Sequence, residues 1–191
     1  MIRAIITDFD GTLVDTFEAN YVAYSKAFEH CNQKLSREQY LSCFGLRFDA
    51  FMNAIKIDNV NLRNQIKKEK ARVYPLCFNH LKPNSTLIDF IHKAKASGIK
   101  TAIASTAQRD NLMNVLRYLQ LDNLFDLIIA GDEVKEGKPS PEIYITTMSY
   151  LQVNPSETLV FEDTEVGLLA AEKSGANAIK ITKDFFDSDN V

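Results

Sequence analysis

The chain has 191 residues, 46% hydrophobic and 25% charged, so it is long enough for one well-packed core and has the composition of an ordinary soluble globular protein. The formal net charge of -3 argues against nucleic acid as an obligate partner, because proteins that bind it usually carry a basic surface. We expect neither a signal peptide nor a transmembrane segment, and three cysteines without metal-ligand spacing indicate a reducing compartment, the cytoplasm.

The first predicted element is a short buried strand at residues 4–7 that ends in two carboxylates. Apolar and β-branched residues predict the strand, and Asp8 and Asp10 follow it with Phe9 between them. Side chains alternate along a strand, so both carboxylates should share one face, and Gly11 can then turn the chain. Two carboxylates this close suit a hard cation such as Mg²⁺, or one of them can act as a nucleophile. An ordinary turn is the alternative for this spacing alone.

Residues 16–80 are predicted to be a helical insertion. Aromatic and apolar residues recur there at helical spacing, and the break around Gly45 is typical of a turn between helices. Arg47 and Lys70 are the cations in this region that could contact the anionic or polar part of a substrate. The alternative for the basic run that contains Lys70 is a solvated helix face.

From residue 81 onward, helical and strand patterns alternate. We predict helices at 84–97, 109–119, 141–151 and 167–174, and strands at 99–104, 124–130, 158–161 and 178–182. This alternation predicts an α/β fold with a Rossmann-like, doubly wound parallel sheet. The core would then consist of residues 1–15 and 81–191. Ligands of such sheets bind at the carboxyl ends of the strands, where the polar residues that follow them gather.

Three further groups of polar residues stand at predicted strand ends or turns. Ser105 and Thr106 follow the strand 99–104 and could hold a phosphate through a hydroxyl and loop N–H groups; a helix N-cap is the alternative. Lys138 stands before the first of two prolines that fix a turn and start a helix, which gives its ammonium a defined position. Glu162 and Asp163 end a strand, and adjacent acids there favour a metal site when other carboxylates face them.

These motifs, in this order, resemble the signatures of the haloacid dehalogenase-like (HAD) superfamily. Asp-Phe-Asp-Gly-Thr-Leu-Val-Asp-Thr at 8–16 matches the first phosphatase signature at every fixed position, and the apolar strand ending in Ser105 is similar to the second. Gly-Lys-Pro-Ser-Pro-Glu-Ile-Tyr at 137–144 resembles the third, whose last position is Tyr or Phe. Glu-Asp-Thr-Glu-Val-Gly at 162–167 resembles the fourth. The resemblance covers the predicted core.

The resemblance implies a role for each polar residue of the core. By it, Asp8 is the nucleophile and Asp10 the general acid and base. Lys138 offsets the negative charge of Asp8 and of the phosphoryl group. Ser105 is the phosphate ligand, with Thr106 as its neighbour.

The resemblance also implies a Mg²⁺ site. Asp163 is the first choice as a ligand, beside Asp8 and the backbone carbonyl of Asp10. Glu162 is either a further ligand or a partner of the ligands. Gly11, in the loop of Asp10, is counted with the phosphate-binding residues.

The insertion resembles the helical cap that the first cap type of this superfamily carries directly after the first signature. Asn20, Arg47 and Lys70 are its candidate substrate-binding residues. The expected protein is therefore a Mg²⁺-dependent phosphohydrolase of a small phosphorylated metabolite, such as a sugar phosphate or a phosphoglycolate-like compound, with an aspartyl-phosphate intermediate. It is expected to be a monomer with no nucleic-acid or membrane partner.

A phosphomutase similar to β-phosphoglucomutase is the main alternative. Such mutases carry a His four residues after the Asp-Thr pair, where this chain has Asn20, and a Gly-x-Ser-Arg order that Arg47 does not complete. Both departures favour the phosphatase. Dehalogenation is disfavoured because dehalogenases of this superfamily lack the second Asp. A catalytically silent binding module would have lost Asp8, Asp10 or Asp163, and none is lost.

Overall fold

The chain forms two compact units in a computed structural model, which describes residues 1–186. The core unit contains Met1–Asp15 and the chain from Lys82 onward, and the cap unit contains Thr16–Leu81. Each unit has a hydrophobic interior of its own. No helix within residues 1–186 is both long and apolar enough to cross a membrane.

The core unit is built on a parallel sheet. The strands of the described chain are β1 (Ala4–Thr7), β2 (Val14–Asp15), β3 (Lys82–Pro83), β4 (Lys100–Ala104), β5 (Leu127–Ile129), β6 (Thr158–Glu162) and β7 (Asn177–Lys180). Five of them form one sheet in the order β5-β4-β1-β6-β7 with every neighbouring pair parallel, while β2 and β3 make a short antiparallel pair. The predicted α/β class is therefore confirmed. Strand order reverses at β1, the point of such sheets where ligands bind.

Helices alternate with these strands as predicted. Within residues 1–186 they are α1 (Phe17–His30), α2 (Arg37–Leu41), α3 (Phe48–Ala54), α4 (Val60–Val73), α5 (Ser85–Ala96), α6 (Arg109–Tyr118), α7 (Glu142–Leu151) and α8 (Glu165–Lys173). The first four belong to the cap unit, followed by a 3₁₀ helix at Tyr74–His80, and the last four belong to the core unit. The predicted insertion, 16–80, ends one residue before the cap unit does.

Several predicted boundaries differ from the observed ones by one to three residues, and two of these differences have a clear physical reason. The strand predicted at 124–130 is confined to β5. Leu124 and Phe125 belong to the preceding loop, and their buried apolar side chains extended the predicted strand beyond the observed one. Helix α8 begins at Glu165, earlier than predicted, because the Thr164 hydroxyl accepts a hydrogen bond from the Gly167 N–H and caps it.

Different residue types fill the two interiors. In the core unit, Ile6, Tyr144 and Met148 belong to one buried cluster between the sheet and helices α7 and α8. In the cap unit the interior is aromatic, and the Tyr24 and Phe51 rings meet edge to face with their centroids 5.1 Å apart. The helical spacing of apolar residues predicted helices with one buried face in each unit.

Asn84 ties helix α5 to the loop that follows β1. Its side-chain oxygen accepts from the Leu87 N–H at 3.0 Å, which caps α5. Its amide nitrogen donates to the Thr12 carbonyl at 3.1 Å, and its backbone N–H donates to the Leu13 carbonyl at 2.9 Å. Asn84 is fully buried. One side chain therefore fixes both a helix start and the loop that contains Asp10.

We expect Asn84→Ala to lower the free energy of unfolding by about 2–3 kcal/mol, because it removes a helix cap and a buried donor to a carbonyl. Urea denaturation followed by circular dichroism measures the change. Asn59→Ala is the matched control, since Asn59 caps α4 through the same bond to Leu62 but is exposed. It should cost only about 1 kcal/mol. Equal losses in the two variants would contradict this account of Asn84.

Candidate active site

The predicted site residues of the core unit meet at the carboxyl ends of three neighbouring strands. Asp8 directly follows β1, and its N–H donates to the Phe161 carbonyl of β6 at 2.9 Å. Ser105 directly follows β4, while Glu162 is the last residue of β6 and Asp163 the next. Because the strands are parallel and in register, these positions lie side by side at one edge of the sheet.

Three of the carboxylates crowd together. Asp8, Glu162 and Asp163 each place an oxygen within 4.8 Å of the others. Burial, reinforced by the charges of Glu162 and Asp163, raises the pKa of Asp8 well above its usual value, and Lys138 opposes this rise. Burial and then the charge of Glu162 raise the pKa of Asp163 to about 6. A divalent cation would relieve this crowding, and carboxylate oxygens are the ligands that Mg²⁺ prefers.

Lys138 supplies a positive charge inside this cluster. Its ammonium donates to Asp8 Oδ1 at 2.5 Å, to Glu162 Oε1 at 2.5 Å and to the Ala104 carbonyl at 3.2 Å. The side chain is only 5% exposed. Burial lowers the pKa of Lys138, but the negative charges of Asp8 and Glu162 outweigh this and hold it well above its usual value. The ammonium therefore bridges two carboxylates and stays charged.

The Glu162 carboxylate is hydrogen-bonded at both oxygens. Oε1 accepts from Lys138 and from the Tyr144 hydroxyl, the latter at 3.0 Å. Oε2 accepts from the N–H groups of Asp163 and Thr164 at 3.0 and 3.1 Å, and from the Thr164 hydroxyl at 3.1 Å. Its lone pairs are thus used within the protein, which orients the loop that carries Asp163.

Two glycines leave room for these carboxylates. A Cβ atom at Gly167 would overlap the Glu162 carboxylate, and one at Gly11 would overlap the Asp163 carboxylate. Gly11 also has a φ of +92°, a conformation that other residues rarely adopt. The glycines of the first and fourth motifs therefore allow close packing around charged side chains.

The loop after β1 is attached to Asp163 as well. The Thr12 hydroxyl, fully buried, donates to Asp163 Oδ1 at 2.9 Å. Asp10 lies in the turn of this loop, half-buried, in a single bridge with Val14. Sequence reasoning assigned no role to Thr12 in the site, although its place in Asp-Gly-Thr was an available signal.

Ser105 lies in the loop directly after β4 and does not cap a helix. Its hydroxyl accepts from the Ala107 N–H at 3.1 Å, and helix α6 begins only at Arg109, with Gln108 at the N-cap position. The helix-cap alternative for Ser105 is therefore wrong. The backbone of Thr106 packs against Gly131, where a Cβ atom would overlap the Thr106 carbonyl.

The three cap candidates lie in the other unit. Asn20 is buried in α1, and Arg47 occupies the N-cap position of α3. Lys70 is buried in α4 with its ammonium 3.7 Å from the centroid of the Tyr74 ring, so a solvated helix face is the wrong interpretation for it. That interpretation holds for the exposed Lys67 and its neighbour Lys68. A role for the three candidates in substrate binding stays a prediction.

Comparisons with known proteins agree with these motifs. A family model described as haloacid dehalogenase-like hydrolase matches residues 5–181. A phosphorylated carbohydrates phosphatase from Thermotoga maritima is 31% identical over 184 residues, which cover 93% of this chain and 84% of the relative. A β-phosphoglucomutase from Bacillus subtilis is 26% identical over 190 residues, covering 94% and 83%. The crystal structure of a CbbY variant from Rhodobacter sphaeroides, in complex with xylulose-(1,5)bisphosphate, superposes with a TM-score of 0.84 at 28% identity, covering 97% of this chain and 88% of that one.

Asp163 should make the stability of the metal-free protein fall as the pH rises. The pKa of its carboxyl is about 6 in the folded chain, against about 3.9 in an unfolded one. Between these values the folded state binds a proton that the unfolded state has released, so the free energy of unfolding decreases with increasing pH.

We expect the wild type to lose about 1–3 kcal/mol relative to Asp163→Asn between about pH 4 and about pH 7 in EDTA. The amide of the variant does not titrate, so the difference between the two denaturation series reports the ionisation of Asp163 together with its effect on the neighbouring Asp8. Urea unfolding at several pH values gives both curves. Parallel curves, or a wild type that gains stability relative to the variant, would contradict the raised pKa.

Proposed function

The chain belongs to the haloacid dehalogenase-like hydrolase family, and from that premise we propose that it is a Mg²⁺-dependent phosphohydrolase that forms an aspartyl phosphate on Asp8. The family predicted from the four motifs is confirmed. The predicted enzyme class, a HAD-type phosphatase, is confirmed too, because relatives of this chain are named phosphatases. The metal, the intermediate and the substrate are our proposal.

The observation that carries the proposal is the hydrogen bond of 2.5 Å between Lys138 and Asp8. A phosphate ester is anionic, so a carboxylate nucleophile can approach it only where positive charge offsets the repulsion. Lys138 is buried and charged beside Asp8, which meets this requirement. The Ser105 hydroxyl, at the end of the neighbouring strand, is in our proposal a donor to the phosphoryl oxygens.

The donor set at this edge fits Mg²⁺. All candidate ligands are oxygens, and the cluster of Asp8, Glu162 and Asp163 holds three carboxylates against the one ammonium of Lys138. We propose Asp8, Asp163 and the Asp10 carbonyl as ligands. Glu162, whose oxygens already accept hydrogen bonds from the protein, would support the ligands. When bound, Mg²⁺ supplies positive charge that keeps Asp8 ionised and attracts the phosphoryl oxygens.

The reaction then proceeds in two displacements. An oxygen of Asp8 attacks phosphorus, the bond from phosphorus to the leaving oxygen breaks, and Asp10, as the acid, protonates that oxygen. Asp10, now a carboxylate, takes a proton from water as the water oxygen attacks the phosphorus of the aspartyl phosphate. The bond to Asp8 breaks, inorganic phosphate leaves, and both carboxyl groups return to their starting states.

We propose a small phosphorylated metabolite as the substrate, a sugar phosphate or a phosphoglycolate-like compound. This rests on the phosphorylated carbohydrates phosphatase among the relatives. Asn20, Arg47 and Lys70 are the cap residues proposed to recognise it. The proposal includes a cytoplasmic monomer without nucleic-acid or membrane partners.

A phosphomutase is the second candidate, because a β-phosphoglucomutase is among the relatives. A mutase must protect the phosphoenzyme from water until a hydroxyl of the sugar phosphate accepts the phosphoryl group. The residue expected to be His in such mutases is Asn20, whose carboxamide neither gives nor takes a proton at neutral pH. This difference favours hydrolysis.

Asp8→Asn should lower phosphate release by more than about 100-fold without unfolding the protein, because an amide cannot form the acyl phosphate. The assay measures inorganic phosphate released from sugar phosphates, phosphoglycolate and nucleoside monophosphates in the presence of Mg²⁺. Asp132→Asn is the control, an exposed carboxylate near the same sheet edge, and should stay within about twofold of the wild type.

A variant at Asp8 that keeps more than a few per cent of the wild-type rate would contradict the nucleophile. If the wild type releases no phosphate from any compound of this panel but converts glucose 1-phosphate in the presence of a bisphosphate primer, the protein is a mutase.

Removal of the metal should abolish activity. We expect no phosphate release after exhaustive EDTA treatment and full recovery with excess Mg²⁺. Asp163→Asn should raise the Mg²⁺ concentration for half-maximal activity by about 10-fold or more, because it removes a charged ligand. Titration calorimetry with Mg²⁺ alone should likewise show that Asp163→Asn binds Mg²⁺ more weakly than the wild type does. Unchanged activity in EDTA would rule the proposed metal out.

A further inference from the structure

Tyr144, on helix α7, contacts the buried ion cluster that Asp8, Lys138 and Glu162 form, yet it has no role in the proposed reaction. Its side chain is fully buried, and its hydroxyl lies 3.0 Å from Glu162 Oε1. The ammonium of Lys138 lies 5.0 Å from the centroid of its ring. A carboxylate only accepts hydrogen bonds, so the hydroxyl is the donor.

The hydroxyl shares its acceptor with Lys138. Both groups donate to Oε1 of Glu162, while Oε2 is held by the loop at Asp163 and Thr164. Donation from Tyr144 fixes the position of Oε1 and neutralises part of its negative charge. Glu162 then attracts the ammonium less strongly, and more of the ammonium's charge is directed at its other partner, Asp8.

The surroundings of Glu162 make this hydroxyl hard to replace. Gly167 lies against the carboxylate so closely that no Cβ atom fits, and the pair of oxygens is already saturated by protein donors. Burial and the negative charges of Glu162 and Asp8 raise the pKa of Tyr144 well above its usual value, against the opposing charge of Lys138. The hydroxyl therefore keeps its proton.

We propose that Tyr144 is a positioning residue, whose hydroxyl orients the Glu162 carboxylate and thereby holds the Lys138 ammonium against Asp8. The inference rests on the proposed function, in which Lys138 offsets the charge of the nucleophile and of the phosphoryl group. Tyr144 touches neither the substrate nor the reacting atoms in this role. It acts through Glu162 and Lys138.

Tyr144→Phe tests this, because it removes the hydroxyl and keeps the ring. We expect kcat to fall by about 10-fold with KM within about twofold of the wild type, since the charge that Lys138 directs at Asp8 matters most in the transition state. Thr147→Val is the matched control. Thr147 is also fully buried on α7, and its hydroxyl donates to the Ile143 carbonyl at 2.7 Å, away from the cluster.

Both variants lose a buried hydrogen bond, so both can lower the melting temperature, but only Tyr144→Phe should lower kcat. Equal kcat values for Tyr144→Phe and the wild type would overturn the proposal. An equal loss in Thr147→Val would do the same, because it would show a general effect of weakening α7.

A double-mutant cycle tests the route through Glu162. In a Glu162→Gln background, Tyr144→Phe should change kcat by less than about twofold, because its acceptor has lost the charge that the hydroxyl modulates. A further loss of about 10-fold in that background would mean that Tyr144 acts independently of Glu162, which contradicts the proposal.

The position of the ammonium can be measured without turnover. In protein labelled with ¹⁵N at lysine, Lys138 should give a protected side-chain ammonium signal in NMR spectra, assigned by its loss in Lys138→Arg. We expect this signal to shift or broaden in Tyr144→Phe and to stay in place in Thr147→Val. A wild type without a protected signal, or a signal unmoved in Tyr144→Phe, would overturn the inference whatever the kinetics.

The two proposals fail separately. If the ammonium signal moves in Tyr144→Phe but the wild type releases no phosphate from any ester of the panel, the phosphohydrolase is wrong and the positioning of Lys138 by Tyr144 stands. If the wild type releases phosphate and the signal does not move, the phosphohydrolase stands and Tyr144 has only a structural role.

Discussion

The ion pairs that Lys138 makes with Asp8 and Glu162 are the interaction on which the site depends. Three carboxylates are gathered at a buried sheet edge, where an unpaired charge is costly. The ammonium offsets part of that charge and uses its three N–H donors on Asp8, Glu162 and the Ala104 carbonyl. Removing it would take away the positive charge that faces the buried carboxylates of Asp8 and Glu162. The same arrangement that stabilises the carboxylates therefore brings a cation to the candidate nucleophile.

The short signatures in the sequence are packing constraints as much as chemical ones. Gly11 and Gly167 stand where a Cβ atom would overlap a carboxylate, and Thr12 donates from the loop after β1 to Asp163. Thr164 both caps α8 and donates to Glu162. Small residues and hydroxyls thus surround the acids closely enough to fix their orientation. The motifs therefore contain catalytic groups together with small residues that leave those groups enough space.

The sequence predicted the strands and the residues at their ends, because alternating patterns and parallel pairing are local and general rules. Asp8, Ser105 and Asp163 meet for that reason. The motifs marked the positions of Thr12 and Tyr144 but not the hydrogen-bond partners of these two residues. Their hydrogen bonds join residues far apart in the chain, and depend on strand register and side-chain rotamers that no spacing pattern encodes.

The division into two units places the proposed catalytic residues in the core unit and the three cap candidates in the cap unit. The cap unit has its own interior, rich in aromatic residues, and the ion cluster of Asp8, Lys138 and Glu162 belongs to the core unit. A phosphatase and a β-phosphoglucomutase both match most of the chain, at 31% and 26% identity. The proposed first displacement needs only core residues and is the same for both reactions. In our proposal, residues of the cap decide whether water or a second sugar hydroxyl then accepts the phosphoryl group. Asn20, which stands where such mutases carry a His, therefore bears more on this choice than the aspartates of the core do.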